Sequence, residues 1–89
     1  MTRYVVSRTR AWHSEEELAA TIECAPAIAA QFTEHVRWVR TDILQEPDGT
    51  FSAHCVYDAT SPEWLLRFSE AAMLPADDIR PLAATYRSA

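Results

Sequence analysis

Asp42, His54 and Asp58 are the side chains in this sequence whose types could act as one centre. Two carboxylates and an imidazole offer the oxygen and nitrogen donors that suit a borderline divalent metal such as nickel or zinc. An imidazole beside a carboxylate can also move a proton as an acid–base pair, with His54 and Asp42 in that role. Nearby, Arg40 suits an anionic ligand and Trp38 an apolar one, so these two are the candidate small-ligand contacts. A plainly structural account is available for the same residues. Arg40 could pair with Asp42 or Asp58, His54 could pack at a subunit interface, and Trp38 could be an interface or core aromatic.

Other reactive types are less suggestive. His13 and His35 flank the first expected helix, and neither has a His or Cys partner at metal-motif spacing. His35 is explained by a favourable interaction with the negative end of that helix, and His13 by a solvated loop. Cys24 and Cys55 are too far apart for a CxxC-type site and sit among apolar neighbours, which reads as two small core hydrophobes. Gly49 is the single glycine, so neither a P-loop nor a dinucleotide fingerprint can be built.

Short local signals set the elements that must carry these residues. Tyr4 to Thr9 is β-branched and aromatic and predicts a first strand, with Arg10–His13 as its exit loop. Ser14-Glu15-Glu16-Glu17 is a capping box, with its acids where a helix dipole favours them. Leu18, Ile22, Ala25, Ala29 and Phe32 follow at helical spacing, and Pro26 predicts a kink or break in a helix running to about Thr33. Val36–Leu44 and Thr50–Ala59 read as two strands joined by a Pro47-Asp48-Gly49 turn. Thr60-Ser61-Pro62-Glu63 starts a second helix, striped with Trp64, Leu65, Phe68 and Ala72 and ended at Leu74-Pro75. Ile79 to Tyr86 is the last expected strand, confined by Pro81 to an edge or a bulge. The order β-α-β-β-α-β predicts one α+β domain over residues 1–89 of ferredoxin-like type: a four-stranded antiparallel sheet with two helices on one face. Dimerisation face to face, as a dimeric α+β barrel, would close the other side.

Setting Glu46 opposite Thr50 fixes a register for the hairpin, with Asp42 facing His54, Arg40 facing Val56 and Trp38 facing Asp58. One face then carries Trp38, Arg40, Asp42, His54, Val56 and Asp58. Val39, Thr41, Ile43, Phe51, Ala53, Cys55 and Tyr57 form the other, more apolar face, which belongs under the helices. The candidate centre therefore falls on the open face.

The bulk numbers narrow the partners. A formal charge of −5 with all eight basic residues arginine, and scattered, argues against nucleic acid, whose affinity comes from clustered cations on phosphates. No apolar run approaches the length of a membrane span or resembles a signal-peptide core, so the expected compartment is the cytoplasm.

Arg37 to Ala59, RWVRTDILQEPDGTFSAHCVYDA, with the following SPEWLLRFSEAAMLPADDI, resembles a family of small bacterial proteins of uncharacterised function that includes an actinobacterial nickel-binding protein. The features that carry the resemblance are Val36-Arg37-Trp38, Cys55-Val56-Tyr57 with Ala59, Ser61-Pro62-Glu63 and Leu74-Pro75-Ala76-Asp77-Asp78-Ile79. The resemblance implies a ferredoxin-like homodimer and transition-metal binding, with nickel the implied cofactor. Two functions follow as expectations: a homodimeric binding protein holding a metal or small ligand at the open face, or a dimeric α+β-barrel enzyme or accessory protein acting on an apolar small molecule.

Overall fold

A computed structural model describes residues 1–88. The elements are β1 (Thr2–Trp12), α1 (Glu15–Ala29), β2 (Val36–Gln45), β3 (Phe51–Ala59), α2 (Pro62–Ala71) and β4 (Asp78–Pro81), with a 3-10 turn at Ala30–Phe32 after α1. The strands form one sheet in the order β2-β3-β1-β4, and every pairing is antiparallel. This is the ferredoxin-like α+β arrangement.

The local codes act as their chemistry dictates. Ser14 caps α1 by accepting from the Glu17 amide at 3.2 Å, and the Glu17 carboxylate reaches back to the His13 N–H. Between β2 and β3, Glu46 N–H donates to the Thr50 carbonyl at 2.8 Å, and Gly49 takes φ +89°, a conformation glycine reaches without a Cβ penalty. At the end of α2, Leu74 N–H donates to Ser69 O and Met73 N–H to Glu70 O. That is a Schellman closure, and it puts Met73 at φ 57°.

Four expectations are corrected. β1 does not end at Thr9: it runs to Trp12 through an irregularity between Arg8 and Trp12, where the Arg10 N–H is taken by Ser52 Oγ instead of a ladder carbonyl. α1 is one helix from Glu15 to Ala29 with Pro26 inside it, so the expected break into two pieces does not occur. β4 stops at Pro81, with one further bond to β1 beyond it, from the Leu82 N–H to the Arg3 carbonyl at 2.8 Å. Cys24 is exposed while Cys55 is buried, because α1 turns Leu18, Thr21, Ala25 and Ala29 toward the sheet and Cys24 away from it.

The core lies between the sheet and α2. Tyr4, Val6, Ala53, Cys55, Tyr57 and Ala59 from β1 and β3 meet Leu65 and Phe68 of α2. Phe32 packs edge-on against Phe68 and Trp64, and His35 lies flat on Trp64 with ring centres 3.8 Å apart. That stack, with the Thr60 hydroxyl 3.3 Å from His35 Nδ1, is what holds His35. α1 packs differently, and none of its residues is buried.

Candidate functional site

Beyond Leu18 and Ile22, the positions of α1 that line the space over the sheet are small: Thr21, Ala25, Pro26 and Ala29, where a tightly packed helix would carry larger side chains. They cannot fill the space above β2 and β3. The gap is a cavity of about 270 Å³ walled by α1 on one side and by Trp12, Trp38, Thr41, Ile43, Cys55, Tyr57, Phe68 and Leu74 on the others. None of the lining residues is charged. The volume falls just below the usual range for small-molecule pockets, about 300–1,000 Å³.

Two tryptophans share one arrangement in this wall. Trp12 Nε1 donates to Thr21 Oγ1 at 2.8 Å, and Trp38 Nε1 donates to Thr41 Oγ1 at 2.9 Å. Each indole N–H is thereby satisfied, and each threonine, having accepted, keeps its own O–H to give. The cavity can thus offer hydroxyl donors within an apolar surface.

Trp38 reaches this wall through a bulge. From Arg40 to Gln45 the ladder holds the expected register, with Asp42 opposite His54 and Arg40 opposite Val56. Val39 has no partner, and Trp38 pairs with Tyr57 rather than Asp58. One extra residue turns the side chains before it to the opposite face. Trp38 therefore lies on the α1 side of the sheet with Tyr57 and Cys55, though still 60% exposed, and Arg37 takes the place expected for Trp38 beside Asp58.

The remaining candidates stay on the open face but do not converge. Asp42 and His54 are directly opposite and both exposed. Asp58 lies four residues further along β3, roughly 13 Å away at about 3.3 Å per residue. It is held by Arg3 through Nε at 2.8 Å and Nη2 at 3.0 Å, and this guanidinium keeps the Asp58 carboxyl below the usual carboxylate range. Arg40 pairs with Asp42, Nε to Oδ2 at 3.4 Å. Among the described residues no three His, Cys, Asp or Glu side chains gather as a metal site, so Asp42, His54 and Asp58 do not form a nickel site within one chain. The sheet also separates the His54–Asp42 pair from Trp38, so that pair does not serve the cavity.

Arg8 is the residue that the strand pattern leaves unremarked. It is 1% exposed, continuing the inward alternation of Tyr4 and Val6 in β1, and that alternation is the signal that marks it. Its Nη1 donates to Ser69 Oγ at 2.9 Å and to the Pro75 carbonyl at 2.8 Å, and Nη2 donates to the Tyr57 hydroxyl at 3.2 Å. Nε has no partner. Burial pushes the Tyr57 phenol up to about 12, with Arg8 pulling the other way. At neutral pH it is a protonated donor.

No protein-family model matches this chain, and no curated protein matches it. The fold and the cavity define an α+β domain of ferredoxin-like topology with an apolar space between one helix and the sheet. The crystal structure of SCO4226 from Streptomyces coelicolor A3(2) is similar to it, with a TM-score of 0.69 and 18% identity over 94% of this chain and 99% of that one. At this identity the likeness shows the fold. No helix among the described residues is long and apolar enough to cross a membrane.

Proposed function

We propose that this chain is a small-molecule binding domain that holds an apolar ligand between α1 and the sheet. The observation that carries the reading is the uncharged cavity whose wall contains two tryptophans, each locked by a threonine hydroxyl. Satisfied indoles present flat apolar faces without exposing a buried donor, which favours an aromatic or fused-ring guest. The test is the fluorescence of a neutral apolar dye, N-phenyl-1-naphthylamine, titrated with wild type and with Ala25→Phe, which fills the space from α1. Enhanced emission with the wild type, lost in the variant while far-UV circular dichroism is unchanged, supports the reading. Equal emission from both proteins overturns it.

The open face supports a second reading, in line with the resemblance to nickel-binding proteins. Asp42 and His54 are exposed and directly opposed, and a homodimer formed through this face could combine two such pairs into a four-residue donor set. The face alternates Arg3, Arg37, Arg40 and Arg80 with Asp42, Asp58 and Asp78, a pattern that can complement its own copy. A cytoplasmic setting, which keeps thiols reduced, suits the two free cysteines. Thermal-shift titration with nickel, zinc and copper, beside His54→Ala, checks it. A nickel-selective rise that the variant loses is the supporting result, and no shift with any metal removes the reading.

A further inference from the structure

Among the described residues, Arg8 is a buried cation that pairs with no carboxylate. Its three hydrogen-bond partners, Ser69 Oγ, Pro75 O and Tyr57 Oη, are all neutral, and its Nε is left unpaired. Buried charges are ordinarily matched by an opposite charge, because three neutral acceptors do not replace the solvation a guanidinium loses. The two acids that follow Pro75 are engaged elsewhere: Asp77 accepts from the Thr9 amide at 2.6 Å, and Asp78 pairs with Arg80.

Tyr57 connects this cation to the cavity, being both part of the cavity wall and bonded to Arg8. A hydroxyl that accepts from a guanidinium turns its own proton away from it, so the Tyr57 O–H can donate on its other side, where the Cys55 thiol of the same wall is the neighbour a ligand oxygen would displace. Backing by a cation polarises that O–H and strengthens the bond it gives, most of all to a charged acceptor. The wall itself is uncharged, so the Arg8 cation behind Tyr57 is what gives this side of the cavity an electrostatic sign.

We infer that the ligand is an apolar monoanion of the aromatic-carboxylate or acidic-phenol kind, its anionic oxygen accepting the Tyr57 O–H and its rings lying between Trp12, Trp38 and α1. The inference rests on the cavity reading and deepens it. Arg8 does not line the cavity, so it acts as a positioning residue, orienting the phenol and supplying the charge that the ligand answers.

The test compares 2-naphthoate with 2-naphthalenemethanol, probes of the same ring system with and without the charge, by isothermal calorimetry. The wild type is expected to bind the carboxylate at least about tenfold tighter than the alcohol, the margin of one charge-assisted hydrogen bond over a neutral one. Tyr57→Phe and, independently, Arg8→Met should each reduce that ratio toward one while retaining the affinity for the alcohol. Equal or tighter binding of the alcohol by the wild type, or a ratio that survives both substitutions, overturns the inference. If Tyr57→Phe does not fold, Arg8→Met decides, since replacing a buried, unpaired cation with an apolar chain of similar length removes a desolvation cost. Ala25→Phe separates the two levels. When the alcohol binds, is blocked by Ala25→Phe, and is not outcompeted by naphthoate, the cavity stands and the anion falls. When neither probe binds the wild type, both fall.

Discussion

Trp12 donates its indole N–H to Thr21 Oγ1 at 2.8 Å, tying the end of β1 to α1 in the cavity wall. Trp38 and Thr41 make the same bond at 2.9 Å, yet the two pairs differ in surroundings. Trp12 is 5% exposed and Trp38 is 60% exposed. Thr21→Val leaves a buried donor unsatisfied and is expected to cost about 1–3 kcal/mol. Thr41→Val leaves its indole N–H to water and should cost less than about 0.5 kcal/mol. Urea unfolding followed by circular dichroism measures both, and equal costs would contradict the contrast in burial.

Met73 closes α2 in the left-handed region at φ 57° with its side chain 91% exposed. A side chain there carries a backbone cost of about 1–2 kcal/mol, part of which glycine returns through the entropy of the unfolded chain. Met73→Gly is expected to stabilise the domain by about 0.5–1 kcal/mol. The thermal midpoint is the readout, and a fall would mean that the Met73 side chain makes a contact of value.

Ser69, buried in α2, is one of the three acceptors for Arg8. Ser69→Ala should destabilise by about 1–3 kcal/mol, because it removes an acceptor from a cation that is already short of partners. In the Arg8→Met background the same substitution should cost much less, and a double-mutant cycle gives the difference as their coupling.

Tyr57 sets the alkaline limit. Its folded value of about 12 lies above the ordinary 10.0, so the unfolded chain releases this proton first, and the associated stability is whole below about pH 10 and fades as pH rises toward about 12. The 295 nm absorbance of wild type minus Tyr57→Phe should show this phenol ionising near pH 12 or together with unfolding, and a step near pH 10 would count against its burial.

At the acid end the direction reverses. Arg3 holds Asp58 low, and the Thr50 hydroxyl and amide hold Asp48 at about 2. Both carboxylates favour the fold above the ordinary carboxylate value and lose that contribution as pH falls through their lowered values. Both are near the surface, so the loss should be small and, for the Asp58–Arg3 pair, smaller still in high salt. Acid titrations of Asp58→Asn and Asp48→Asn at two salt concentrations measure the two contributions.

The sequence by itself determined the elements and their order. A capping box at Ser14, a Pro-Asp-Gly turn placing Glu46 opposite Thr50, and Pro62 at the first position of a helix are local codes, each acting within a few residues of itself. The antiparallel pairing of Asp42 with His54 followed from that turn. The site did not follow in the same way, because a bulge at Val39 has no marker in residue type and yet decides which face receives Trp38. Arg8 likewise carries its period-two position openly, but whether an arginine there is buried depends on Ser69, Pro75 and Tyr57 arriving from elsewhere in the chain. The cavity is a further step from the sequence. Its wall draws on α1, β1, β2, β3 and α2, with small residues of α1 among larger ones, and such a gap is a property of elements packed together, legible in none of them alone.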